Sequence, residues 1–142
     1  GCNYINNYLK KKGYTSTGVH HTLHPSSSSY QWDGLGSNRS SAKDVGKLLE
    51  KIYKNQAVSR KYSNQMLNLL LAQERRYKIP AGLPSGVKSG NKTGETDSYQ
   101  HDAAIVYGKK TDYVIVVFAQ VGEYTGINGI KEISGMVYER LN

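Results

Sequence analysis

The chain has a single cysteine, Cys2, so an internal disulfide is excluded and the covalent cross-links that mark many exported proteins are missing. No apolar run approaches the roughly 20 residues that cross a bilayer as a helix; the longest, residues 113–119, has the length of a buried strand. The opening Gly1-Cys2-Asn3 leads straight into an amphipathic stretch without the charged, apolar and small-residue order of a signal peptide, and the sequence reads as beginning at a cut. Phenylalanine and tryptophan occur once each, against 12 tyrosines. Acidic residues are also few, 11 against 19 lysines and arginines, for a formal charge of +8. The basic residues form no continuous patch. Lys10-Lys11-Lys12, Arg75-Arg76 and Lys109-Lys110 fall at expected element ends, where solvated cations also favour helix C-termini. That spread argues against a nucleic-acid partner and suits a surface facing anionic polymer.

What is present describes an ordinary folded chain: 142 residues, 37% hydrophobic, 21% charged, with a mean hydropathy of -0.61. Tyr4, Ile5, Tyr8 and Leu9 share one helical face, and Gly13 is placed to stop that helix. Periodicity then fails across residues 14–41, which hold His20, His21, His24, Pro25 and four consecutive serines. A loop of that length in a compact domain is usually functional. Its histidines suit a solvated loop better than a metal site, since no cysteine or glutamate accompanies them. Ser41 can cap a helix starting near Ala42, with Val45, Leu48, Leu49, Ile52 and Tyr53 on one face. Ser59 can cap another, whose apolar residues Tyr62, Met66, Leu69 and Leu70 end before Ile79-Pro80.

After a turn-rich connection over residues 79–84, the pattern changes to extended segments at 86–95, 99–107 and 112–120. Gly108-Lys109-Lys110-Thr111 serves as a tight hairpin between the last two. Three sequential antiparallel strands follow from this, and Ile127, Ile130, Ile133, Val137 and Leu141 then recur at helical spacing. The expected organisation is one partial domain over residues 1–142. Residues 1–84 form its helical part, with the long loop at 14–41, and residues 85–142 carry three strands and a helix. There is no internal repeat.

The motif with chemical content is Lys92-Thr93-Gly94, followed by Glu95-Thr96-Asp97 and by His101-Asp102-Ala103-Ala104-Ile105-Val106-Tyr107-Gly108. The tripeptide alone is weak. Its setting is specific: an extended segment opening a three-stranded meander, behind two helices and an Ile-Pro-Ala-Gly-Leu-Pro connector, and ahead of an amphipathic helix. This order resembles the C-terminal region of class A β-lactamases and their penicillin-binding relatives, where a Lys-Thr-Gly strand walls one side of the active site.

The resemblance implies an α+β chain, part of a β-lactamase/transpeptidase-like fold, without its N-terminal strands and nucleophile helix. It implies acyl-enzyme chemistry on β-lactams or D-alanyl peptides such as the peptidoglycan stem peptide. No cofactor or metal is implied, and the setting is bacterial, extracellular or cell-wall associated. Lys92 would bring positive charge to the proton-transfer network and the substrate carboxylate, Thr93 a hydrogen bond to that carboxylate, and Gly94 a close backbone approach. Glu95 would contribute only its backbone N–H, to the oxyanion hole. His101 stands where the family often has a cationic carboxylate-binding residue, and is otherwise a solvent-facing strand histidine.

Two departures bear on activity. The family's Ser-x-x-Lys and Ser-x-Asn have no credible counterpart here. Ser85-Gly86-Val87-Lys88 and Ser89-Gly90-Asn91-Lys92 match the first by letters only, because a strand sends residues three apart to opposite faces. The chain alone is therefore expected to be inactive. Between residues 14 and 41 there is also no glutamate to activate a deacylating water, and Asp33 is the only acid. A non-catalytic module of the same fold, binding wall peptide or a protein, stands as the alternative. Residues 113–119 would form an apolar sheet edge, to be covered by the rest of the protein or by a second copy.

Overall fold

A computed structural model describes residues 1–22 and 32–142. His24, Pro25 and the four serines lie outside the described residues. The chain divides into two compact units, Gly1–Asp44 and Val45–Asn142, and the division falls inside a helix.

The first unit opens with helix α1 (Cys2–Lys11). Gly13, at φ +80°, ends it: its N–H donates to the Lys10 carbonyl and that of Tyr14 to the Leu9 carbonyl, the paired bonds of a Schellman cap. The apolar face expected from the spacing is largely open, with Tyr4, Ile5 and Tyr8 all exposed. The segment that follows lacks periodicity because it is held by side chains and by isolated backbone bridges, Gly18 with Arg39 and His21 with Trp32, instead of by a regular element. The Asn6 amide brackets Val19, donating to its carbonyl (2.9 Å) and accepting from its N–H (2.8 Å). Asn38 accepts from the N–H groups of His20 and His21 and donates to the His21 carbonyl. Buried Asp44 accepts from the Ser16 N–H (2.8 Å) and the Thr17 hydroxyl (2.9 Å). His20 corrects the expectation of a solvated loop: it is buried, with Nδ1 3.0 Å from Asp33 Oδ2.

Helix α2 (Ala42–Tyr53) starts at Ser41, whose hydroxyl accepts from the Asp44 N–H, and it buries Leu49 and Ile52. Helix α3 (Arg60–Leu71) is capped by Ser59, which accepts from the Tyr62 N–H. Fully buried Ser63 closes the turn between them, donating to the Ala57 carbonyl and accepting from its N–H. A 3₁₀ turn (Ile79–Gly82) follows.

Strands β1 (Ser89–Thr96), β2 (Tyr99–Val106) and β3 (Tyr113–Ala119) form an antiparallel sheet in the order β1-β2-β3, and helix α4 (Glu123–Leu141) ends the chain. The hairpin is looser than expected, six residues in place of four. Asn142 pins it, accepting from the N–H groups of Lys110 and Thr111.

Strand alternation makes two cores. On one face Ala103 and Ile105 meet Leu49, Ile52 and Ala57, with Met66 and Leu70 beside them. On the other, Ala104, Val106 and Ile115 meet Ile79 and Ile130. Residues 103–106 of β2 are buried on both faces, which is why this strand reads as a continuous apolar run instead of alternating. Ile105 and Val106 each contribute about 1.5–3 kcal/mol on full burial, the two alanines less. The 3₁₀ turn lies against α4 so closely that a Cβ on Gly82 would fall 2.1 Å from the Lys131 carbonyl oxygen. The Ser134 hydroxyl donates to the Ile79 carbonyl (2.8 Å) across the same contact.

Candidate active-site wall

Strand β1 carries the motif, and its register with β2 sets Lys92 opposite Ala103, Thr93 opposite Asp102 and Gly94 opposite His101. Lys92, Thr93, Gly94 and His101 all line one open groove of about 490 Å³, together with apolar side chains of α2 and α3 and Phe118 of β3. Lys92 is exposed, and its ammonium donates to the Thr93 carbonyl of its own strand. Thr93 is buried. The His101 ring stacks at a tilt on Phe118, with centroids 4.6 Å apart, and its Nδ1 accepts from the Ala119 N–H at 3.2 Å. Nδ1 is thus the acceptor, and the neutral ring carries its proton on Nε2. Ser89 to Lys92 lie within β1, which cannot bring that serine and lysine together as a helix would.

Glu95 is placed differently from the other four. Its carboxylate accepts from Arg75, from the Tyr77 hydroxyl (2.6 Å) and from the Lys78 ammonium (2.9 Å), leaving only its main chain for a site. The Tyr77 hydrogen bond, then that of Lys78, pull the Glu95 carboxyl down to about 2, and Tyr77 is raised in return. Next to it Asp102 is fully buried, accepting from the Ile79 N–H (2.9 Å) and the Asn91 amide (3.1 Å). Burial raises its pKa despite those donors. No motif in the sequence marks Arg75, Tyr77, Lys78, Asn91 or Asp102 as part of this network. The available signal was a carboxylate at the head of a buried strand, which must find donors.

The family model described as the beta-lactamase enzyme family matches residues 1–141. The chain belongs to that family. Solved β-lactamase-family structures share the fold. PBP-A superimposes with a TM-score of 0.81 at 22% identity, over 99% of this chain and 51% of its own. A β-lactamase from Chitinophaga pinensis gives 0.83 at 22% identity, over 100% and 56%. One from Sphaerobacter thermophilus gives 0.82 at 17% identity, over 99% and 54%. The chain therefore spans about half the length of the β-lactamase-fold chains it matches. No curated protein sequence matches it. As a member of the β-lactamase family with an α+β class A-type fold, the chain is related to hydrolases. What its groove offers chemically is a cation, a bare glycine edge and an imidazole along one strand pair, while buried Thr93 is paired with Asp102 on the alternate positions of the same strands.

Proposed function

We propose that this chain supplies one wall of a serine acyl-transfer site acting on β-lactams or D-alanyl peptides, and that it is inactive without polypeptide carrying the nucleophile. The observation that carries this reading is the gathering of Lys92, Thr93, Gly94 and His101 along a single groove in one strand register. Lys92 serves the proton-transfer network and the substrate carboxylate, Thr93 hydrogen-bonds that carboxylate, and His101 donates to it through Nε2. The Glu95 N–H serves the oxyanion. The only acid between residues 14 and 41 supports slow release of the acyl group. Both Asp33 oxygens are already in use, Oδ2 on His20 and Oδ1 accepting from the Leu35 N–H. A PBP-A variant was itself solved as an acyl-enzyme complex with penicillin G.

β3 stands at the sheet edge with only Ile115 buried, which supports a partner there: the rest of the protein, or a second copy pairing edge to edge. An extracellular or cell-wall-associated setting, where such substrates occur, goes with this reading. A labelled penicillin incubated with the full-length protein tests the reading. Covalent, slowly released label is expected from the full-length protein, and none from this chain alone. Absence of label on the full-length protein would sink the enzymatic reading in favour of a binding module.

A further inference from the structure

Lys78 is a charged side chain with no exposed surface, and it does not line the groove. Its ammonium has three acceptors in reach: Glu95 Oε2 at 2.9 Å, the His101 carbonyl at 3.2 Å and, as the longest and weakest of the three, the Gly94 carbonyl at 3.5 Å. Gly94 and His101 are register partners, so one cation ties both strands at a single rung. That rung also lines the groove, two positions along from the Lys92–Ala103 rung.

The Gly94 carbonyl and the Glu95 N–H are two ends of one planar peptide. A cation drawn toward the carbonyl restrains the plane, and thereby the direction of the N–H. It also draws electron density toward the oxygen, which makes the N–H a stronger donor. Glu95 closes the arrangement: its carboxylate neutralises Lys78 while Arg75 and Tyr77 hold it from outside. His101 is clamped at two points, its carbonyl by Lys78 and its Nδ1 by the Ala119 N–H.

We infer that Lys78 is a positioning residue that aims and polarises the Glu95 N–H from behind the strand and sets the height of His101 in the groove. This rests on the proposed role of that N–H in stabilising an oxyanion.

The test uses Lys78→Met and Lys78→Arg in the full-length protein, with Lys78→Met/Glu95→Gln as a second variant that also removes the carboxylate Lys78 neutralises if the first fails to fold. Removing an oxyanion-hole donor outright costs about 100- to 1,000-fold in rate. A misaimed one should slow penicillin acylation by roughly 10- to 100-fold, with Lys78→Arg recovering most of the loss. Ile130→Val, a core change in α4, controls for general destabilisation and should acylate at the wild-type rate. Independently of activity, the Glu95 amide nitrogen should move upfield in Lys78→Met, further than those of Thr96 and Asp97. If wild type takes no label, the active-site reading fails and the amide shift alone judges Lys78. Wild-type acylation in folded Lys78 variants, or an unmoved Glu95 amide, overturns the inference.

Discussion

Acid should unfold this chain partly through one carboxylate. Glu95 titrates at about 2 when folded, against an ordinary value of 4.5, because Tyr77 and Lys78 donate to it. The unfolded chain therefore takes up the proton first. The stabilisation is complete above about pH 4.5 and is lost as pH falls through about 2. The difference in pKa, at about 1.36 kcal/mol per unit, gives an upper bound of ~3 kcal/mol. With 27% of the side chain in solvent, screening reduces this to roughly 1–2 kcal/mol. Glu95→Gln keeps the shape and an acceptor but no charge, so at pH 7 it should be less stable by that amount, and the gap should narrow below pH 4.5 and close near pH 2. Asp102, raised by burial, changes stability in the opposite sense over its own range, but equally in both proteins. Urea denaturation of both proteins across pH 2–7, with carbon-detected titration of the Glu95 carboxyl, measures this directly. A midpoint near 4.5, or parallel pH profiles, would refute the assignment of Lys78 and Tyr77 as its donors.

Ser59→Ala removes the acceptor of the Tyr62 N–H and should cost about 1 kcal/mol in denaturant midpoint, with little loss of helical circular dichroism. Gly82→Ala sets a methyl group against the Lys131 carbonyl, where backbone and not a flexible side-chain end must yield. A loss of ~2 kcal/mol or more is expected by thermal melting, and an unchanged melting temperature would show that the turn and α4 are not in contact. Ile105→Ala empties a fully buried position between β2 and the α2–α3 pair and should cost about 2–5 kcal/mol in the same assay.

The helices and strands were legible because their signals are local. Ser41 and Ser59 cap where the hydroxyls stand in sequence, Gly13 turns where a left-handed residue is needed, and β2 is apolar because it is covered on both faces. The groove residues were legible through resemblance, since nothing in the spacing of Lys92 and His101 says that they meet. The first loop was not legible. Its order comes from two isolated backbone bridges, from the Asn6 and Asn38 amides and from buried His20 and Asp44, these side chains reaching residues 13 to 28 positions away, and single polar residues carry no periodicity.

The two faces of β1 depend on each other in a way that its three-letter motif conceals. Lys92 and Gly94 line the groove, while Glu95 is tied to Lys78 beneath the sheet and Asn91, at the groove's margin, sends its amide to Asp102. On the groove side the strands are held by His101 and Lys92, which also line the site. Further restraint comes from behind, where burial makes each bond count for more and each lost partner cost more. Lys78 can act there because it immediately precedes Ile79, whose N–H holds Asp102 and whose side chain fills the core on α4. The turn that anchors the sheet to its helix also delivers the cation to the rung behind the groove. Substitutions in that turn should therefore change how the groove is presented as well as how stable the chain is.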